Sequence, residues 1–551
     1  MTRLSKAISM YTPSENRTQG SWRAAIAICF AAQIASSVTV ARPMIAQNAA
    51  IAPKHAPIVT HHQGTFNGQR VDYTATVGET IVANAAGTPA ARLVSIAYTR
   101  DGADPATRPV MFVFNGGPIG PSYPLHMGAF GPKRVAYSPD LKADPATFPL
   151  VDNTYTVLDV ADLVFFDPAS TGYSRVLDGI SPQEYYTTES DAQQLTAFVD
   201  RWLRENNRMA SPKYMFGESY GTIRLPETAR QLLHLPEPIV LDGIVLMGQA
   251  TNQLEVNTRP YNIIAPVIGL PSVAATAWYH NRIDRRGRTV RDVMAEAAQF
   301  ANNDYLNALF KGSALKSADS ARIANRLHEL TGIPAEYFRT NNLRITRPTF
   351  QTELFKAEGL KLGSDDARYI GPASGPDPAG VVGNVVLTAF KKYARDELKI
   401  DWPDQYRQSQ TVPWEDSPPD SAGAAAAGGG RRGAGGGGRG GRGGRGGASG
   451  GGGGAGGGWT YAATGSPFAD FPYTSSITEV INKNPRFRVL VGSGIYDMKT
   501  TTGAAEYLIA QSGWPRDRAR ISYYEGGHMA YSNEAALKKL TDDVRLLLQG
   551  K

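Results

Sequence analysis

From about residue 65 the chain reads as a series of strands. "TFNGQRVDYTATV" and "ARLVSIAYTR" alternate apolar and polar positions between Gly and Pro boundaries, the period of a half-buried strand. "PVMFVFNGGP" and "ADLVFFDPASTGYS" are apolar runs that end in glycines or turn-forming residues, as strands covered on both faces do. The period then lengthens. "SPQEYYTTESDAQQLTAFVDRWLREN" repeats its apolar positions every three to four residues and predicts a helix. "KYMFGES" is again a short apolar run. The helical "GTIRLPETARQLL" and the buried strand "PIVLDGIVLMG" follow it. Near the C-terminus, "RFRVLVGSGIYD", "TTGAAEYLIAQSG", "ARISYYEGGH" and "NEAALKKLTDDVRLLLQG" repeat strand, helix, strand, helix. Alternation of this kind predicts an α/β fold with a mainly parallel sheet flanked by helices.

Residues 252–470 break the alternation. "RTVRDVMAEAAQFANNDYLNALF", "SADSARIANRLHEL" and "VLTAFKKYARDEL" are helical, with loops between. The expected organisation is a core in two parts, residues 55–251 and 471–551, with an inserted helical cap of residues 252–470 over the active face. Within that cap, residues 422–458 are almost entirely Gly, Ala and Arg. Such a tract cannot form a packed core, because glycine loses the most entropy on ordering, and it reads as a flexible loop. An Arg-Gly segment can also bind nucleic acid or another anionic polymer, but this one has no interleaved aromatics on which bases would stack.

"AAIAICFAAQIASSVTVA", residues 24–41, carries no charge and follows Arg3, Lys6, Arg17 and Arg23. It reads as a signal peptide ending near residue 46 rather than a permanent membrane anchor, and implies an exported protein, periplasmic or secreted. The only cysteine, Cys29, lies inside it, so no intramolecular disulfide is expected. The formal net charge of +7 is concentrated in this N-terminal segment and in the five arginines of the glycine tract. The rest is close to neutral, so the basic balance does not point to nucleic acid as a partner.

Candidate chemistry centres on "YMFGESYGT". Gly217-Glu218-Ser219-Tyr220-Gly221 fits G-x-S-x-G, a strand-to-helix turn so tight that small residues must flank the serine. Its flanks, an apolar run before and a helical pattern after, suit that turn. A serine of ordinary pKa needs a histidine base. Of the eight histidines, His61, His62, His234, His280 and His328 lie in bland contexts, whereas "EGGHMAY" puts His528 just after a strand. Asp497, in "VLVGSGIYDMKT", lies just past the preceding strand and can orient the imidazole; its alternative role is to cap the helix beginning near Thr501. The order Ser219, Asp497, His528 is that of α/β-hydrolases. The N–H of Tyr220 and that of Gly117, in "FNGGP", are candidate oxyanion donors.

These motifs together resemble the serine carboxypeptidase family. Its serine motif, Gly-Glu-Ser-Tyr-Ala/Gly, matches residues 217–221. Its Trp-Leu-Asn-Gly-Gly-Pro-Gly motif corresponds to Val113-Phe114-Asn115-Gly116-Gly117-Pro118-Ile119, and its Gly-Gly-His-Met motif to "GGHMAY", with Tyr531 where the family has Pro. "FFDPASTGYS" also matches a family strand. The resemblance spans roughly residues 100–250 and 485–551. It implies an α/β-hydrolase fold without metal or cofactor, and a peptide substrate with a free C-terminus. It also implies that Asn115, Gly116 and Glu218 bind substrate, Asn115 and Glu218 at its carboxylate. The family's carboxylate-binding Trp is here Val113, and its second Glu falls at Ala129. Lys133 or Arg134 could supply a compensating cation. An esterase or acyltransferase would use the same triad, and a non-catalytic binder would use the Arg-Gly tract.

Overall fold

The computed structural model describes residues 52–251, 261–408, 459 and 473–551. The signal-like segment of residues 24–41 and the tract of residues 422–458 lie outside the described residues. The described elements lie within one unit, Ile51–Lys551.

Strands β1 (Ile58–Phe66) and β2 (Gln69–Ala83) form an antiparallel hairpin. The alternating run "TFNGQRVDYTATV", read above as strand throughout, therefore turns back on itself at Asn67-Gly68. Both turn residues have positive φ, +47° and +77°, and Asn-Gly is the pair that accommodates this in a two-residue hairpin. Strand β3 (Pro89–Arg100) continues antiparallel, and β4 (Val110–Phe114), β5 (Asp162–Phe166), β6 (Lys213–Glu218), β7 (Gly243–Met247), β8 (Arg488–Gly494) and β9 (Ala519–Tyr524) complete the sheet. The order is β1-β2-β3-β5-β4-β6-β7-β8-β9, with the short strand Arg175–Val176 paired to β3, and every neighbour from β5 to β9 is parallel. Strands β4 to β7 are buried at every position, as their uninterrupted apolar runs require.

Side chains alternate between two apolar layers because successive strand residues point to opposite faces. Phe112, Val164, Met215 and Leu246 face a layer formed by helices α1 (Thr188–Glu205), α2 (Gly221–Leu233), α7 (Tyr473–Lys483) and α8 (Thr502–Ser512). Met111, Leu163, Phe216 and Val245 face a second layer that includes α9 (Glu534–Leu548). Helix α1 begins only at Thr188: Thr187 and Ser190 form a capping box, and the preceding Pro182–Tyr185 is a separate turn of 3₁₀ helix.

The inserted stretch divides. Helices α3 (Ile264–Tyr279), α4 (Val290–Phe300) and α5 (Ser317–Thr331) build an apolar cluster of their own that takes in Met498. Helix α6 (Val381–Asp396) instead buries Val386, Leu387 and Phe390 in the second layer of the sheet, so this part of the insertion is core rather than cap. Each such side chain contributes on the order of 2–3 kcal/mol by leaving water. The α/β-hydrolase fold is thus assembled from both parts of the chain, with one helix of the insertion joining the second apolar layer.

Candidate active site

Strand β6 ends at Glu218, α2 begins at Gly221, and the chain reverses between them at Ser219, whose φ is +58°. A non-glycine residue in this region is strained, and surrounding contacts must hold it there. Ser219 N donates to Met247 O at 2.9 Å, which ties the turn to the end of β7, and Thr222 Oγ1 donates to Ser219 O at 2.7 Å. A Cβ on Gly217 would fall 2.4 Å from Gly221 O, so only glycine fits before the turn. Ser219 itself is half-buried.

Asp497 follows β8 and is fully buried. Its Oδ2 accepts from His528 Nδ1 at 2.7 Å and from Thr500 Oγ1 at 2.6 Å. Its Oδ1 accepts from the N–H groups of Lys499 and Thr500 at 2.7 and 2.9 Å. These bonds close the turn before α8 and leave no capping role: the N-cap of α8 is Thr501. With its proton on Nδ1, His528 has Nε2 available as a base. The imidazole lies against Gly248, which directly follows β7, and so stands beside the serine turn. Among the described residues, hydrogen bonds join His528 to Asp497 but not to Ser219 Oγ; contacts of that kind tighten when substrate is bound. Burial pulls the His528 pKa down, but the adjacent Asp497 carboxylate outweighs it, and the net position is about 8.

The proposed oxyanion donors lie on two neighbouring strand ends. Gly116 is pressed against the serine turn so closely that a Cβ there would come 2.5 Å from Tyr220 N. Gly117 has φ +122°, and its N–H donates to no hydrogen bond among the described residues. Arg224 fastens the two strand ends together. It is fully buried, pairs with Asp191 through Nε and Nη2 at 2.6 and 3.3 Å, and donates from Nη1 to Asn115 O at 2.9 Å. Asp191 also accepts from the Tyr220 hydroxyl at 2.8 Å.

Asn115 and Glu218 meet. Asn115 Nδ2 donates to Glu218 Oε1 at 2.8 Å, and Asn115 Oδ1 accepts from Leu125 N. Burial pushes the Glu218 carboxyl up to about 7. Val113 and Ala129 are buried in the apolar layer, and their side chains offer no polar group. The cations considered as substitutes are engaged elsewhere: Lys133 pairs with Asp152, and Arg134 with Glu534.

Sequence reasoning missed three features. Asp365, in the insertion, accepts from His528 N through its carbonyl at 2.5 Å, and its carboxylate pairs with Lys499 at 2.5 Å. Burial would raise this carboxyl, but Lys499 and His528 hold it below its ordinary value. The same stretch binds the Asp497 loop through Met498 N to Ser364 O and Ala367 N to Tyr496 O. Nothing in "GSDDARY" signals this, because it reads as a polar turn. The Arg224–Asp191 pair was hidden as two helix positions with no pattern linking them. Tyr531 was read only as a departure from a motif. The remaining histidines have other duties: His126, which no motif singled out, is stacked on Phe165 in the core, its Nε2 bonded to the Tyr98 hydroxyl, and burial lowers its pKa to about 3.

Residues 97–347 match the family model described as serine carboxypeptidase. Among solved structures, the chain is similar to a prohormone-processing carboxypeptidase from Saccharomyces cerevisiae, at 12% identity over 86% of this chain and 91% of that one, with a TM-score of 0.49. A proline iminopeptidase from Mycobacterium smegmatis matches at 12% identity over 86% and 98%, with a TM-score of 0.35. An esterase from Thermogutta terrifontis matches at 12% over 86% and 98%, with a TM-score of 0.30. No curated protein matches the sequence.

Proposed function

We propose, for a chain whose residues 97–347 belong to the serine carboxypeptidase family, the removal of C-terminal residues from peptides through an acyl-enzyme on Ser219. The observation that carries the catalytic assignment is the buried Asp497–His528 pair set beside a strained serine turn. Ser219 Oγ attacks the carbonyl of the last peptide bond while His528 Nε2 takes its proton. The negative oxygen of the tetrahedral intermediate is met by the N–H groups of Tyr220 and Gly117. His528 returns the proton to the departing amine, and the C–N bond breaks. Water, activated by the same imidazole, then releases the shortened peptide. Asp497 stays ionised throughout, fixing the tautomer and stabilising the imidazolium. Glu218, held by Asn115, faces the terminal carboxylate of the substrate.

The uncharged segment of residues 24–41 behind a basic flank supports export to the periplasm or beyond. No helix among the described residues is long and apolar enough to cross a membrane.

A distinctive pH dependence follows. Binding a carboxylate beside Glu218 requires that carboxyl to be protonated, a state lost as pH rises through about 7. The base requires neutral His528, a state gained as pH rises through about 8. For a peptide with a free C-terminus, kcat/KM should therefore be bell-shaped, with its maximum between these values. The same peptide capped as an ester or amide needs only the neutral imidazole, and its rate should rise and level off above about pH 8. The Glu218 anion is one of the groups that raise the His528 pKa. Glu218→Gln should thus remove the descending limb for free peptides and move the ascending limb of both substrates to lower pH. Identical wild-type profiles for free and capped substrates would contradict the role given to Glu218.

A further inference from the structure

Three buried oxygens beside Glu218 have no hydrogen-bond partner: Glu218 Oε2 and the hydroxyls of Tyr531 and Tyr137. They converge on one place. Tyr531 is 1% exposed, and its hydroxyl lies close to the side chains of both Glu218 and Asn115. Tyr137 lies within electrostatic reach of Glu218 and of Tyr531. Gly128 marks the spot where the two phenols meet: a Cβ there would be 2.5 Å from Tyr531 Cε2 and 3.2 Å from the Tyr137 hydroxyl. Polar atoms buried without partners are rare and costly, and they persist where a ligand supplies the missing bond. A purely packing role would be served by phenylalanine.

The chemistry of the cluster defines that ligand. Burial pushes both phenols above their ordinary range, so both stay neutral and can donate. Protonated Glu218 is a third donor. The one amide nearby is already committed, since Asn115 donates to Glu218 Oε1 and accepts from Leu125 N. Donors are thus in excess, and they suit a group with two acceptor oxygens. Tyr531 lies three residues after His528 in one loop, and Glu218 directly precedes Ser219, so the cluster adjoins the reacting bond. Neither Lys133 nor Arg134 competes for the role, since each pairs with a carboxylate elsewhere.

We propose that Tyr531 and Tyr137 are specificity-determining residues whose hydroxyls, with Glu218, donate hydrogen bonds to the terminal carboxylate of the peptide. The arrangement replaces the second carboxyl that Ala129 cannot supply, and the bulk of the Tyr531 ring fills the space left over the small residue at position 128. The assignment rests on the carboxypeptidase reading. It makes part of carboxylate recognition independent of pH, because the phenols do not ionise in the range where Glu218 does.

The test is the preference for a free over an amide-capped C-terminus, expressed as the ratio of kcat/KM for an N-blocked peptide and its C-terminal amide. Tyr531→Phe should lower this ratio by ~10-fold or more, mostly through KM, as expected for removal of a hydrogen bond to a charged group. Tyr137→Phe should lower it in the same direction, and the double variant further. Tm and fluorophosphonate labelling identify any variant that fails to fold. A ratio unchanged from wild type overturns the proposal, whether both rates fall together or neither does. A wild type with no preference for the free terminus overturns the carboxypeptidase reading itself, which is a different result from a wild type that discriminates and a variant that still does.

Discussion

Ser219→Ala should abolish covalent labelling by a fluorophosphonate probe and lower turnover on the order of 10⁵–10⁶-fold. The expectation comes from the turn. Ser219 is held at φ +58° by the Met247 carbonyl and by Thr222, and Gly217 leaves room for the reversal. Methyl for hydroxyl at this site removes the nucleophile and leaves the oxyanion donors and the binding groups intact. The residual rate should then be that of substrate positioning and oxyanion stabilisation alone. His528→Ala should lose a similar amount, and the double variant little more, because the residues act as one unit. Active-site titration with the probe checks this directly. Labelling of Ser219→Ala at the wild-type level would move the nucleophile elsewhere.

Arg224→Ala should be the most destabilising substitution near the site. The guanidinium is fully buried, and its loss leaves Asp191 ionised in the core with only the Tyr220 hydroxyl and Gln194 as donors. Breaking one side of such a pair costs about 3–5 kcal/mol, because an uncompensated buried charge remains. For a folded unit of this size that is a fall in Tm of roughly 3–5 °C. The effect should reach catalysis as well. Arg224 also holds the Asn115 carbonyl and stacks over the rings of Phe114 and Tyr220, 5.5 and 5.3 Å from their centroids. Without it the two strand ends that carry the oxyanion donors can drift apart, so kcat should fall more than KM rises. Replacing both partners with apolar residues, Arg224→Met with Asp191→Leu, should recover much of the stability, since no buried charge remains. It should not recover kcat. A Tm for Arg224→Ala within a degree or two of wild type would show that the pair contributes nothing to the core.

The parts of this molecule that could be read from sequence are those where one local pattern meets one physical requirement. The apolar runs of β4 to β7, the serine turn and the loops bearing Asp497 and His528 are of this kind, since strand burial and tight turns restrict residue choice over a few positions. What escaped was long-range pairing. Asp191 and Arg224 are 33 residues apart, and their pairing depends on how α1 and α2 pack. Asp365 reaches His528 across 163 positions of chain, which no local pattern can encode. Helix α6 was misplaced for a related reason. Its periodicity shows an apolar face but not which surface covers it, and that surface includes His126 and Tyr98. The hairpin at Asn67-Gly68 was different: its signal was local and was overridden by the alternation around it.

The most direct measurement is a digest of a peptide library with free and amidated C-termini by the purified protein, followed over time by mass spectrometry. The expected result is a ladder of single-residue losses from the C-terminus of the free peptides, with amidated peptides processed at clearly different rates, and no ladder with Ser219→Ala. Internal cleavage, losses from the N-terminus, or intact peptides in the presence of an enzyme that still hydrolyses simple esters would contradict it.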